Sequence, residues 1–326
     1  MNKVNKKNIN YYSVFRLLII ILIAFFAIFG VDYGALIDHL TARLLAAMVL
    51  SQVVVLLSLT LLSFRLSLFI DKKNPPVIAS FKAIVLAMGF NLIIPGRMSE
   101  FVKPLFLKSK VGISMEGGLS SVFLERVTDM FIISLLSSVV LSGSFVDFDG
   151  RIMICAASVC FLLLHFLPKG MPWVEKGVAF IPFKRLSSLI LNILEHLSQA
   201  IIDKRLYGGF ACGCLAWCFT VSSFFVFFFV AENGQFSIDK CLILFVISTI
   251  AYAVPALPGG VGTYEASIVF VLQHYGYSME HSLVLAAALH LSQMLMVGLL
   301  AGVVVVREDL TLGDFFGRAK AVPSRG

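Results

Sequence analysis

FNLIIPGRMSEFVKPLFLKSKVGISMEGGLS, from Phe90 to Ser120, and VPALPGGVGTYEASIVFVLQHYGYSMEHSLV, from Val254 to Val284, share one plan. Each runs an apolar segment into a break (Pro95-Gly96; Pro258-Gly259-Gly260-Val261-Gly262) and reaches a glutamate (Glu100; Glu265). Each then continues as a short apolar helix and passes through Gly-x-Ser-Met-Glu (Gly112 to Glu116; Gly276 to Glu280) into a long apolar helix. Paired segments interrupted by Pro and Gly in the two halves of a membrane protein point to a transport site.

The surrounding composition agrees with a membrane setting. Of 326 residues, 59% are hydrophobic and only 14% charged, and the mean hydropathy is +0.95, which leaves too little polar surface for a soluble globule. The net charge of +7 does not imply nucleic acid, because the basic residues cluster between apolar spans, where they set topology and meet anionic lipid. Cys155, Cys160, Cys212, Cys214, Cys218 and Cys241 lie in or beside apolar spans with no Cys-x-x-Cys and no histidine at ligand spacing. They read as small hydrophobes, and no metal or cofactor is expected. The N-terminal basic residues precede a long apolar run with no small-residue cleavage pattern, so it reads as a retained first span.

A spanning helix needs about 20 predominantly apolar residues. Full spans are expected near Phe15 to Val31, Leu44 to Phe64, Leu119 to Leu141, Ile152 to Leu167, Gly208 to Ala231 and Ser282 to Val306. Two further segments, Val77 to Ile94 and Cys241 to Leu257, end at the breaks and are followed by Phe101 to Leu107 and Ala266 to Leu272, too short to span alone. If each broken pair enters and leaves by the same face, one side collects Lys3, Lys6, Lys7, Arg16, Arg65, Lys72, Lys73, Lys108, Lys110, the lysines and arginines from Lys169 to Arg205, and the basic tail. That is the positive-inside pattern, with both termini cytoplasmic. The expected fold is an all-α, polytopic transmembrane helical bundle with two Pro/Gly-broken re-entrant hairpins related by an inverted repeat. It forms a single membrane domain over 1–326 with a short cytoplasmic tail, 307–326.

The stretch 169–207 is the long polar connector. Pro172 and Pro182 punctuate its start, and Leu186, Leu189, Ile190, Ile193, Leu194, Leu197, Ile201 and Ile202 then recur at helical spacing. It reads either as an amphipathic helix on the inner membrane surface or as a connector packed on the protein.

Ionisable groups at membrane depth cost at least about 2.5 kcal/mol each, so those present need a reason. Arg97, Glu100 and Lys103 sit at the first break, with Glu100 and Lys103 at i,i+3. Beside unwound backbone they form either an anion cradle or a self-neutralising pin. Glu125, Arg126 and Asp129 follow in the next span, where Glu125 and Asp129 share a face and Arg126 reaches Asp129, tying the span to Arg97 or Lys82 or lining a polar path. Aligning the two Ser-Met-Glu strings sets Arg126 and Asp129 opposite His290 and Gln293, which raises His290 from an interior histidine to a cavity candidate. Glu265 is either paired across the protein, with Arg97 or Arg126, or open to protonation. The glycine-dense second break lacks the Lys-Ser/Thr of a phosphate loop.

The strings PGRMSE, SSVFLERVTD and PALPGGVGTYEA together resemble the lysylphosphatidylglycerol synthase transmembrane family, also called flippase-like membrane proteins. The resemblance covers nearly the whole chain, with Ser99 standing where glycine is expected before Glu100. It implies a multi-pass protein of the bacterial cytoplasmic membrane that moves a lipid or lipid-linked head group between leaflets. Its motif positions here are Arg97, Glu100, Glu125, Arg126, Asp129 and Glu265. Relatives with synthase activity carry a cytosolic aminoacyl-transfer domain after the spans; the chain ends about twenty residues past Val306, so only the flippase-like half is expected to transfer.

The expected function is therefore translocation of an anionic phospholipid or lipid-linked sugar, with Arg97, Lys103 and Arg126 on the head group. The alternatives are a membrane-embedded lipid-modifying enzyme using Glu125, Asp129 and His290, or an accessory partner of a separately encoded synthase or glycosyltransferase.

Overall fold

The computed structural model describes residues 41–70, 76–93, 98–142, 151–253 and 258–310. The expected first span, the break residues Pro95, Gly96 and Arg97, and the basic tail lie outside them. Every described element is helical. In chain order they are α1 (Ala42–Phe69), α2 (Val77–Asn91), a 3-10 turn (Met98–Phe101), α3 (Val102–Val111), α4 (Met115–Leu141), α5 (Arg151–Val178), α6 (Lys184–Ile202), α7 (Arg205–Ala231), α8 (Ile238–Ala253), a 3-10 turn (Pro258–Gly260), α9 (Thr263–His274) and α10 (Met279–Arg307).

The order long, half, turn, short, long occurs twice, as α1 to α4 and as α7 to α10. Helices α1, α5, α7 and α10 are long and apolar enough to cross a membrane, and the chain is a membrane protein. Helix α4 is as long, at 27 residues, but carries Glu125, Arg126 and Asp129 along its length. At about 1.5 Å per residue, α2 and α8 reach roughly 22–24 Å, short of a hydrocarbon core of about 30 Å.

Local chemistry sets the shared junctions. Ser114 Oγ accepts from the Gly117 amide at 3.0 Å to start α4, and Ser278 Oγ accepts from the His281 amide at 3.2 Å to start α10. At the second break Gly259 and Gly260 take φ of +66 and +75, in the left-handed region that side chains avoid. A Cβ on Gly260 would also fall 2.5 Å from the Tyr252 ring, so the turn and the end of α8 fit together only around glycine.

Helices α1 and α7 pack antiparallel along their length. Ser58 meets Thr220 Oγ1 at 2.8 Å and the Ala216 carbonyl at 2.9 Å, Arg65 lies against Gly213, and Phe69 lies against Gly209. Close approaches at small residues bring the other helices in: Gly89 of α2 faces Ala301 of α10, and a Cβ on Gly118 of α4 would sit 2.9 Å from the Pro104 backbone of α3. Helix α6 turns Leu197, Ala200 and Ile201 into a core with Leu124, Leu164 and Leu206, and Ser120 Oγ donates to the Ile193 carbonyl at 3.2 Å. Its Leu186 and Ile202 remain exposed.

One boundary differs from the sequence reading. The expected span ended at Leu167, yet α5 runs on through Pro168 and Pro172 to Val178. A proline removes one ladder bond from a helix, which freed carbonyls can tolerate when neighbours or adjusted turns satisfy them.

The helix ends locate the two hairpins. Lys82 of α2 and Lys110 of α3 both reach Glu308 beyond α10, at 2.5 and 3.1 Å, so this hairpin opens at the C-terminal end of α10. Lys240 of α8 lies 5.1 Å over the Tyr275 ring just past α9, and His281 at the start of α10 binds Glu232 at 2.8 Å, so the second hairpin opens at the other end. The end of α2 meets α8 and the second 3-10 turn between them: Leu92 lies 3.4 Å from the Cβ position of Gly259, and Asn91 Nδ2 donates to Tyr252 Oη at 2.9 Å.

Glu308 makes the first hairpin's clasp pH-dependent. The Lys82 hydrogen bond, with Lys110 assisting, holds its carboxyl below the ordinary value of 4.5. A pKa depressed on folding contributes stability above the unfolded value and loses it as pH falls through the folded one. Amide exchange over residues 77–82 and 108–111 is expected to accelerate below about pH 4.5, and Glu308→Gln should show the faster exchange already at pH 7. Unchanged exchange in the variant would remove the clasp.

Candidate functional site: a charged cavity between the hairpins

A cavity of about 370 Å³ lies where α1, α2, α4, α7, α8 and α10 converge. Leu59, Leu62, Ile84, Phe224, Phe245, Met294 and Val297 contribute apolar wall, while Arg65, Glu100, Lys103, Glu125, Arg126 and Asp129 form one polar wall. Tyr252, Tyr264, His290 and Gln293 form another.

Among the described residues, the first polar wall links three cations and three carboxylates. Arg65 bonds Asp129 Oδ1 at 2.5 Å and lies 3.4 Å from Glu125 Oε1. Lys103 Nζ lies 2.9 Å from both Glu100 Oε2 and Glu125 Oε2. Arg126 reaches Asp129 Oδ2 at 3.1 Å and Glu100 Oε1 at 3.6 Å. Trp217 Nε1 donates to Asp129 Oδ1 at 2.9 Å. Among the described residues these charges are matched in number and each ion has a partner, as a low-dielectric setting requires.

Arg65 is the member the sequence reading misplaced. It was counted among the loop charges that set topology, yet its side chain is only 2% exposed. The signal was present in the local string: Leu66, Leu68, Phe69 and Ile70 follow it before the polar Asp71-Lys72-Lys73, so it lies inside the helix and not at its end. Trp217 had no signal of this kind.

The network also distinguishes the predicted cations. Lys103 is enclosed by two carboxylates and buried, whereas Arg126 keeps a third of its side chain exposed, and its buried Nε has no hydrogen-bond partner among the described residues. Glu125 and Asp129 do share a face, and that face is turned on Arg65. Lys82, an expected partner of this cluster, is instead committed to Glu308. Arg97 lies outside the described residues.

The second wall repeats the pairing in other residues. Arg126 of α4 pairs with Glu100, and its counterpart His290 of α10 pairs with Glu265, Nδ1 to Oε1 at 2.7 Å. His290 Nε2 lies 3.1 Å from the Gly259 carbonyl, and Glu265 Oε2 accepts from the Gly262 amide at 2.8 Å. Among the described residues Glu265 pairs with His290, where the sequence offered Arg97, Arg126 or a carboxyl open to protonation. The Tyr264 ring lies 4.6 Å from the imidazole.

The described residues form an all-helical membrane protein with a cavity walled by paired charges on one side and a Glu-His pair on the other. Within that class the family is defined by sequence. Residues 13–301 match the model of the lysylphosphatidylglycerol synthase TM region, and the chain belongs to that family. No curated protein and no solved structure matches it.

Proposed function

We propose that this protein translocates a lipid or lipid-linked glycan with an anionic head group between the leaflets of the bacterial cytoplasmic membrane. The observation that carries the reading is the cavity, which joins a charged wall to an apolar one and so fits an amphiphile. Its volume of about 370 Å³ suits a head group, since ligand sites run from about 300 to 1,000 Å³, and leaves the chains in the bilayer. Arg126 is the contact for the anion: it faces the cavity, is the least enclosed cation among the described members of the network, and has a buried Nε that no described residue satisfies. Glu100, Lys103, Glu125 and Asp129 position it, and the Glu265 and His290 wall closes the opposite side.

The two broken segments are re-entrant hairpins of an inverted repeat in this reading. Three features support it: α2 and α8 are too short to span, their hairpins open at opposite ends of α10, and the equivalent helices α1 and α7 pack antiparallel about the Ser58–Thr220 contact. A two-fold axis in the membrane plane through that contact would relate the halves, the arrangement of alternating-access transporters. Lys82, Lys110, Lys204, Arg205 and Arg307 then fall on the side where the first hairpin opens, which makes that side cytoplasmic.

Reconstitution tests the proposal. Vesicles containing the purified protein and fluorescent phosphatidylglycerol, or a radiolabelled lipid-linked sugar, are expected to exchange the label between leaflets faster than empty vesicles. Equal rates for both probes would count decisively against translocation.

A further inference from the structure

We propose that Glu265 and His290 form a proton-binding site that locks the second hairpin's turn, and that translocation is coupled to the proton gradient through it. The coupling half rests on the translocation reading above; the proton site stands on geometry alone.

Both ring nitrogens of His290 face acceptors. Nε2 is 3.1 Å from the Gly259 carbonyl, which can only accept, so Nε2 carries hydrogen. Nδ1 is 2.7 Å from Glu265 Oε1, and the other carboxylate oxygen is occupied by the Gly262 amide. A neutral ring with hydrogen on Nε2 would aim the Nδ1 lone pair at an ionised carboxylate. A proton therefore lies between Nδ1 and Oε1, as imidazolium with carboxylate or as imidazole with carboxylic acid. Either form is neutral overall, which suits a pair whose side chains are 4% and 16% exposed.

The proton holds a turn. Gly259, Gly262 and Glu265 belong to the second break, and His290 belongs to the long helix, so the array ties the turn to α10. When the proton leaves to water the pair becomes a net anion, the Nδ1 contact turns repulsive, and the imidazole rotates or takes its other tautomer. Either movement releases the Gly259 carbonyl, and with it the turn that lies against Leu92 of the first hairpin.

The surrounding groups decide how the site responds to cargo. Tyr264 of α9 lies against the imidazole, and Tyr252 of α8 lies against Tyr264. Helices α1 and α2 present the uncharged Gln52, bonded to Ser292 beside the site, and Asn91. Across the cavity stand the matched charges of Arg65, Lys103, Arg126, Glu100, Glu125 and Asp129. An anionic head group entering this neutral setting adds negative charge and favours the protonated array. Proton and head group therefore load together.

Two measurements separate the proton site from translocation. Nitrogen-15 NMR of the histidine side chains in nanodiscs, assigned with His290→Gln, should show His290 at pH 7 with both nitrogens protonated or with Nδ1 in a strong shared-proton bond. Glu265→Gln should return it to a neutral ring with Nδ1 unprotonated. A neutral ring whose Nδ1 neither carries nor shares a proton in the wild-type protein overturns the proton site whatever the exchange assay gives. In phosphatidylglycerol vesicles, a transmembrane gradient of one pH unit should change the rate of directional exchange severalfold. Exchange indifferent to the gradient, with the NMR signature present, overturns the coupling and leaves translocation standing. No exchange at all refutes translocation, and coupling with it, while NMR still decides the proton site.

Discussion

Arg65→Ala is expected to cost about 3–5 kcal/mol of stability, the figure for removing one member of a buried ion pair. The guanidinium sits between Asp129 and Glu125 with 2% of its side chain exposed, on the face of α1 packed against Gly213 of α7. Lys103 still neutralises Glu125 in the variant, and Arg126 and Trp217 still bind Asp129, but three carboxylates then face two cations in an apolar interior. The measurement is the thermal unfolding midpoint of the detergent-solubilised protein. Arg65→Ala combined with Asp129→Asn should lose less than the sum of the single variants, because it removes both charges together. A wild-type midpoint for Arg65→Ala would show that the network does not hold the bundle.

Arg126→Ala carries the second large effect, on transport more than on folding. Its side chain is a third exposed and one of its two carboxylate contacts is 3.6 Å long, so its loss should cost less stability than that of Arg65. The same exposure makes it the cation an incoming phosphate can reach. Leaflet exchange of fluorescent phosphatidylglycerol is expected to fall at least tenfold, with Arg126→Lys retaining part of the rate because a point charge replaces a bidentate fork. Wild-type exchange by a well-folded Arg126→Ala protein would place the anion contact elsewhere.

Much of the site was legible because its parts are local. Glu100 and Lys103, and Arg126 and Asp129, stand three residues apart on one helix, and both pairs form, at 2.9 and 3.1 Å. The Ser-Met-Glu alignment set His290 opposite Arg126, and each pairs with the glutamate of its own half. Arg65, Trp217, Tyr252 and Asn91 were not legible. Their partners are 60 or more positions away, and in a membrane protein the lipid-facing and helix-facing sides of a span are alike apolar, so no periodicity reveals which way a helix is turned.

By itself the sequence determined a helical membrane protein, two half-length segments ended by Pro-Gly breaks, and a set of charges at membrane depth. Hydropathy, capping and proline chemistry act within a few residues along the chain, so they are written in it directly. Only the tertiary structure decided that Arg65 joins the first cluster and that Glu265 meets His290 across the second break. Those facts depend on the rotation and crossing of helices far apart in sequence, set by close contacts such as Gly89 with Ala301 and Gly213 with Arg65. A charge in an apolar interior is stable only with a partner, and packing chooses which one.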